Sequence, residues 1–136
     1  MRDLTGICER AVELARAAGA DEAEAFAVDE RVVNVELHKN DIQIAKSMIG
    51  NGLGIRVFRD GSLGFAYVNS FDESGVAESV DKAIGIASAA PRDDNNGLPE
   101  PTPIEPVAGL YDGAAERYGI VVTRRRALPG DARDGA

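Results

Sequence analysis

Two residue types that carry much of enzyme chemistry are almost missing. The 136-residue chain has one histidine, His38, and one cysteine, Cys8. A single cysteine excludes an internal disulfide and a cysteine-based zinc cluster, and fits a reducing compartment. A single histidine, with no His-Glu-x-x-His spacing, excludes the common helical metal sites. There is no tryptophan, and aromatic residues make up 5% of the chain, so Val, Ile, Leu and Ala must fill the core. No apolar run approaches the roughly 20 residues that span a bilayer. The start, Met1-Arg2-Asp3-Leu4, lacks the apolar centre of a signal peptide. These absences predict a soluble, cytoplasmic protein without a catalytic or metal centre of its own.

What is present is an ordinary globular balance, 44% hydrophobic and 28% charged, of a length that suits one domain. The net charge of −8 is uneven. From Glu116 onward five Arg face three acids, a local +2, which leaves −10 for residues 1–115. So acidic a body repels nucleic-acid phosphates and anionic membranes, and neither is expected as a partner.

Periodicity organises the chain. Leu4, Ile7, Cys8, Ala11, Leu14, Ala15 and Ala18 share one face of a helix over 3–18, and Gly19 supplies its left-handed stop. Four strands are predicted, over 23–38, 42–49, 53–59 and 62–68, joined by the polar turn Lys39-Asn40-Asp41 and the hairpin signals Asn51-Gly52 and Asp60-Gly61. A second helix spans 72–89, capped through a Ser70/Glu73 box or by Asp72, and ends at Pro91. The sum is an α+β two-layer sandwich, α-β-β-β-β-α, with two helices on one face of a four-stranded antiparallel meander. Residues 1–90 form this domain. Residues 91–112, with Pro99, Pro101, Pro103 and Pro106, form a linker, and 113–136 form a divergent tail expected to be disordered.

One sheet face, with Val33, Val35, Leu37, Ile42, Ile44, Met48, Leu53, Ile55, Val57, Leu63, Phe65 and Tyr67, is expected to meet the helices. The opposite face carries Gly52, Gly54, Arg56, Phe58, Gly64 and Ala66. Small residues in strands often mark close approach of another backbone, so these six are the candidate contact surface for a partner or substrate. The residues alone leave a plain solvated face equally open.

The other candidates resolve to structural roles. His38 sits where a strand meets a polar turn, and Cys8 lies in an apolar helical stripe as a small hydrophobe. Gly52-Leu53-Gly54 precedes a strand where a phosphate loop would precede a helix. Asp21/Glu22, Asp29/Glu30 and Asp93/Asp94 are neighbours in sequence, and adjacent side chains on a strand point apart. No catalytic residue is assigned.

An ordered set of segments is more specific: Gly-Ala-Asp-Glu-Ala-Glu at 19–24, Gly52-Leu53-Gly54-Ile55-Arg56-Val57-Phe58, Asp60-Gly61-Ser62-Leu63-Gly64-Phe65-Ala66, Gly97-Leu98-Pro99 and Gly109-Leu110-Tyr111-Asp112. Over about residues 1–112 it resembles the N-terminal domain of the TldD/PmbA family, metallopeptidases also called modulators of DNA gyrase, and Gly-Leu-Tyr-Asp leans to the PmbA (TldE) branch. The resemblance implies a cytoplasmic system that degrades or matures small or unfolded polypeptides, including a peptide antibiotic and an antitoxin. Its subunits pair as homo- or heterodimers, and zinc is held by a His-Glu-x-x-x-His helix in a full-length TldD-type subunit. This chain, lacking that helix, is expected to be inactive alone and to serve subunit assembly and substrate access. The other reading is a free-standing interaction module that regulates a protein partner. Family members are several hundred residues long, and the Arg-, Ala- and Gly-rich stretch from Gly119 predicts a truncated or frameshifted product.

Overall fold

A computed structural model describes residues 2–117. The predicted disordered tail lies almost wholly outside these residues. The order is α1 (Leu4–Ala17), β1 (Glu22–His38), β2 (Asp41–Arg59), β3 (Ser62–Val68) and α2 (Glu73–Ala89), followed by a 3-10 turn at Ala115–Arg117. The class is α+β, with two helices and an antiparallel sheet of order β1-β2-β3.

The strand count differs from the sequence expectation: three, not four. Asn51-Gly52 is not a turn. Neither residue has positive φ, which a two-residue hairpin turn of this type requires at both positions, and both lie in extended backbone within β2. The expected second and third strands are thus one 19-residue strand. The two turns that do form use left-handed residues throughout, Lys39 (φ 51) with Asn40 (φ 66), and Asp60 (φ 51) with Gly61 (φ 76).

The chain forms two compact units. The first comprises the residues up to Asp29 and Gly50–Pro101. Its core joins Ala11 and Ala15 of α1, Ala23 of β1, Leu53, Ile55 and Val57 of β2, Ala66 of β3, and Val76, Val80, Ala83 and Ala87 of α2. Leu53, Ile55, Val57 and Val80 are essentially inaccessible to water, and burial of each such side chain contributes about 1.5–3 kcal/mol. Both helices therefore lie on one sheet face. Asp3 caps α1 by accepting a 2.9 Å hydrogen bond from the Gly6 amide. Gly19, at φ 98, ends it, with the Ala20 amide reaching back to the Ala15 carbonyl at 3.0 Å.

The register of β3 on β2 overturns a second expectation. Arg59 pairs with Ser62, Val57 with Gly64, Ile55 with Ala66 and Leu53 with Val68. Directly opposed residues share a face, so Ser62, Gly64 and Ala66 lie with the buried Leu53, Ile55 and Val57, under α2. Leu63, Phe65 and Tyr67, expected against the helices, lie on the other face, where Phe65 and Tyr67 are exposed. The cause is spatial. A Cβ at position 64 would stand 1.9 Å from the Ala83 carbonyl oxygen, so α2 approaches β3 too closely for anything but small residues.

The second unit comprises Glu30–Ile49, the hairpin end of β1 and β2, with described residues from Thr102 on. Here too the expected inner face differs. Val33, Val35 and Ile42 are half-buried, Leu37, Ile44 and Met48 are exposed, and none of them belongs to the core cluster. Arg31 donates a 2.6 Å hydrogen bond from Nη2 to the Glu116 carbonyl. Tyr111 donates its hydroxyl to Glu116 Oε2, and that bond, with the nearby negative charge, holds its phenol above the usual range.

No helix or strand forms over 91–112. Its start is nonetheless fixed. The Asp93 amide and the Asn96 side-chain amide both donate to the Gly61 carbonyl at 2.9 Å, and the Leu98 amide donates to Glu22 Oε2 at 2.7 Å.

Candidate functional site

The outer face of the first unit's sheet begins as alternation on β1 and β2. Odd-numbered residues of β2 turn into the core, so Gly52, Gly54, Arg56 and Phe58 turn away from it. Beside them on β1, Ala23, Ala25 and Ala27 pack with the core, which leaves Glu24 and Phe26 on the outer side.

Two glycines of this face are filled by their neighbours. A Cβ on Gly54 would meet the Phe65 ring at 3.3 Å, and one on Gly52 would meet the Tyr67 ring at 3.4 Å. The rings of β3 thus lean across β2 and occupy the space a side chain would take, a known compensation for glycine in a strand. Phe26 is 74% exposed, Tyr67 61% and Phe65 54%. Exposed aromatic surface of this extent, gathered on one side of a small sheet, is a mark of contact surfaces.

Arg56 provides the charge in the middle. Its Nη2 pairs with Glu24 Oε1, and its guanidinium stands 5.7 Å from the centre of the Phe58 ring. The arginine Nε is shielded from solvent without a hydrogen-bond partner. Phe58 itself is 5% exposed. Of the six residues singled out from the sequence, Gly52, Gly54, Arg56 and Phe58 share this face. Gly64 and Ala66 do not, being buried beneath α2. Sequence reasoning missed Phe26, Phe65, Tyr67 and Glu24, although counting residue pairs outward from the Asp60-Gly61 turn assigns Phe65 and Tyr67 to the Arg56 side.

Acid–base or metal chemistry finds little support in the arrangement. Among the described residues, no three His, Cys, Asp or Glu side chains gather closely enough to hold a metal ion. His38 is exposed at the end of β1, and Cys8 is half-buried on α1, where burial pushes its thiol pKa up and a backbone hydrogen bond from Ala27 partly offsets it. A thiol held protonated is a poor nucleophile. Zinc, which the resemblance implies for a full-length subunit, does not fit the residues described here.

Comparison with known proteins finds likeness to one family. Residues 23–87 match the family described as PmbA/TldA metallopeptidase domain 1. Over these residues the chain is similar to a PmbA/TldD-type first domain. The match begins at the start of β1 and ends near the end of α2, so it contains the whole sheet and the outer face just described. The structure of TldE from Thermococcus kodakarensis superposes with a TM-score of 0.63 at 26% identity, over 73% of this chain and 23% of that one. A protein described as a modulator of DNA gyrase, from Bacteroides thetaiotaomicron VPI-5482, superposes with a TM-score of 0.74 over 88% of this chain and 28% of its own, and at 16% identity it speaks to the fold alone. An uncharacterized protein of Methanocaldococcus jannaschii is 35% identical over 63 residues, which is 46% of this chain and 15% of that protein. The chain therefore spans less than a third of the length of each of these proteins. Among the described residues, no helix is long and apolar enough to cross a membrane.

Proposed function

We propose that this chain is a non-catalytic contact domain of a TldD/PmbA-type proteolytic system in the cytoplasm, serving subunit assembly and the access of small or unfolded polypeptides. The observation that carries the reading is the outer sheet face, with Phe26, Phe65 and Tyr67 exposed around the Arg56–Glu24 pair inside the family-matched segment. Aromatic and arginine side chains are the usual anchors of protein interfaces. Catalytic zinc, in this reading, belongs to a full-length TldD-type subunit.

The test is capture of the chain by a full-length TldD-type subunit, with and without the double substitution Phe65→Ser/Tyr67→Ser. Both residues are exposed, so the variant should fold as the parent does, verified by its circular dichroism. Loss of capture by the variant supports the reading. Equal capture of both, or capture of neither, overturns it. The second reading, a module that regulates an unrelated partner, would gain from the last of these outcomes.

A further inference from the structure

Two Asn-Gly pairs occur in the chain, Asn51-Gly52 and Asn96-Gly97. Asparagine before glycine carries a reaction of its own. The glycine backbone nitrogen can attack the carbon of the asparagine side-chain amide, because glycine has no Cβ to hold the backbone off. Whether it does so depends on what restrains the two groups, and the two pairs differ in this.

Asn51 and Gly52 lie in extended backbone of β2, the central strand of the sheet. The Tyr67 ring fills the space beside Gly52, 3.4 Å from where a Cβ would stand. The backbone here cannot turn the Gly52 nitrogen onto the Asn51 side chain without opening the sheet. Asn96 and Gly97 lie outside every helix and strand. Gly97 is exposed, and among the described residues its amide has no hydrogen-bond acceptor. The amides on either side do have one: Asn96 donates to the Asp93 carbonyl at 3.1 Å, and Leu98 donates to Glu22 Oε2 at 2.7 Å. Of these three amides, the unengaged one is the one that follows the asparagine side chain.

We propose that Asn96 is a site of spontaneous deamidation, and that the reaction releases the start of the proline-rich segment from Gly61. The Gly97 nitrogen loses its proton to solvent and bonds to Asn96 Cγ. The Cγ–Nδ2 bond breaks, and that nitrogen leaves as ammonia. Water then opens the cyclic imide at either carbonyl and leaves aspartate or isoaspartate at position 96. Water is the only co-reactant.

The product fails at the point of attachment. Asn96 Nδ2 donates a 2.9 Å hydrogen bond to the Gly61 carbonyl. An ionised carboxylate only accepts, so acceptor would meet acceptor and the bond is lost. The new charge also falls beside Asp93 and Asp94 in sequence, and near Glu22, whose Oε1 is 3.6 Å from the place of a Gly97 Cβ. Like charges so placed repel. The isoaspartate form adds a backbone carbon before Gly97, which displaces the Leu98 amide as well. Ammonia is lost for good, so the attachment weakens with the age of the molecule. This site is independent of the contact surface proposed above.

The full chain, held at mildly alkaline pH and then mapped by tryptic peptides, tests the chemistry. Acid should form at position 96 about tenfold or more faster than at position 51, because the sheet must open before Asn51 reacts. Gly97→Ala adds a Cβ that makes only ordinary contact with Glu22, so the variant should fold as the parent does. It should slow the change at 96 by about tenfold, through the hindrance a Cβ brings, and leave 51 as it was. Equal rates at 96 and 51, or an unchanged rate at 96 in Gly97→Ala, overturns the site. Asn96→Asp makes the aged product directly. It should speed hydrogen exchange at the Asp93 amide, the other donor to Gly61, while the Ile55 amide stays protected. Unchanged exchange at Asp93 overturns the release, even where deamidation occurs.

Discussion

Gly64 of β3 lies directly beneath Ala83 of α2, so that a Cβ added to the glycine would stand 1.9 Å from the Ala83 carbonyl oxygen and 2.7 Å from the Ala87 amide nitrogen. Both obstacles are helix backbone and cannot swing aside. Gly64→Ala should therefore force α2 off the sheet and cost about 2 kcal/mol or more, in the manner of an overpacked core. Urea denaturation measures it. A variant as stable as the parent would mean that α2 does not pack this closely.

Gly85, on the same helix, predicts the opposite sign. It is exposed within α2, and a Cβ there meets nothing within 4 Å. Glycine inside a helix is about 1 kcal/mol worse than alanine, so Gly85→Ala should raise the unfolding free energy by about that amount. The pair of glycine substitutions, one harmful and one helpful, tests the placement of α2 more sharply than either alone.

Asp72 predicts an acid-dependent helix end. Its carboxylate accepts hydrogen bonds from the Ser70 hydroxyl, from the Gly75 amide at 2.7 Å and from the Ser74 hydroxyl at 2.7 Å. Those bonds, the Ser70 one foremost, lower its pKa from 3.8 to about 2. A depressed carboxylate pKa stabilises the fold fully above the unfolded value and loses that contribution as pH falls from about 4 towards 2. Asp72→Asn, which still caps a helix, should flatten this part of the stability–pH profile. An unchanged acid limb would show that other carboxylates govern it.

How much of this could be read beforehand divides along physical lines. Helix limits were legible to within a residue or two because capping and periodicity are local: Asp3 and Gly19 bracket α1, and Asp72 proved to be the cap of α2. The count of strands was not, because Asn51-Gly52 has the composition of a turn but is held extended within the long β2. The face of β3 was misread for a different reason. Hydrophobicity pointed Leu63, Phe65 and Tyr67 inward, whereas the Asp60-Gly61 turn sets Arg59 against Ser62 and so, two residues on, Val57 against Gly64. Turn geometry outranks side-chain hydrophobicity here, since a one-residue slip would turn the whole strand over. The principle applied to Gly64, that small strand residues admit another backbone, was sound. The backbone admitted is that of α2 rather than of a partner.

The start of the proline-rich segment gives the last prediction. Composition alone makes 91–112 a free linker, yet its first residues are held at two points: Gly61, whose carbonyl accepts from both Asp93 and Asn96 at 2.9 Å, and Glu22, whose carboxylate accepts from the Leu98 amide at 2.7 Å. A charged acceptor makes the Leu98 bond the stronger kind. Its loss should let the segment lift from β1 without unfolding the core, because no core residue is involved. Glu22→Ala should therefore raise the hydrogen-exchange rate of the Leu98 amide while leaving the amides of Ile55 and Val57 protected. Asn96→Ala should loosen the same segment through Gly61, and the two changes together should exceed either one. If Leu98 exchanges equally fast in the parent and in Glu22→Ala, the segment is not held by Glu22, and the linker begins just after Asn96, the last residue tied to Gly61.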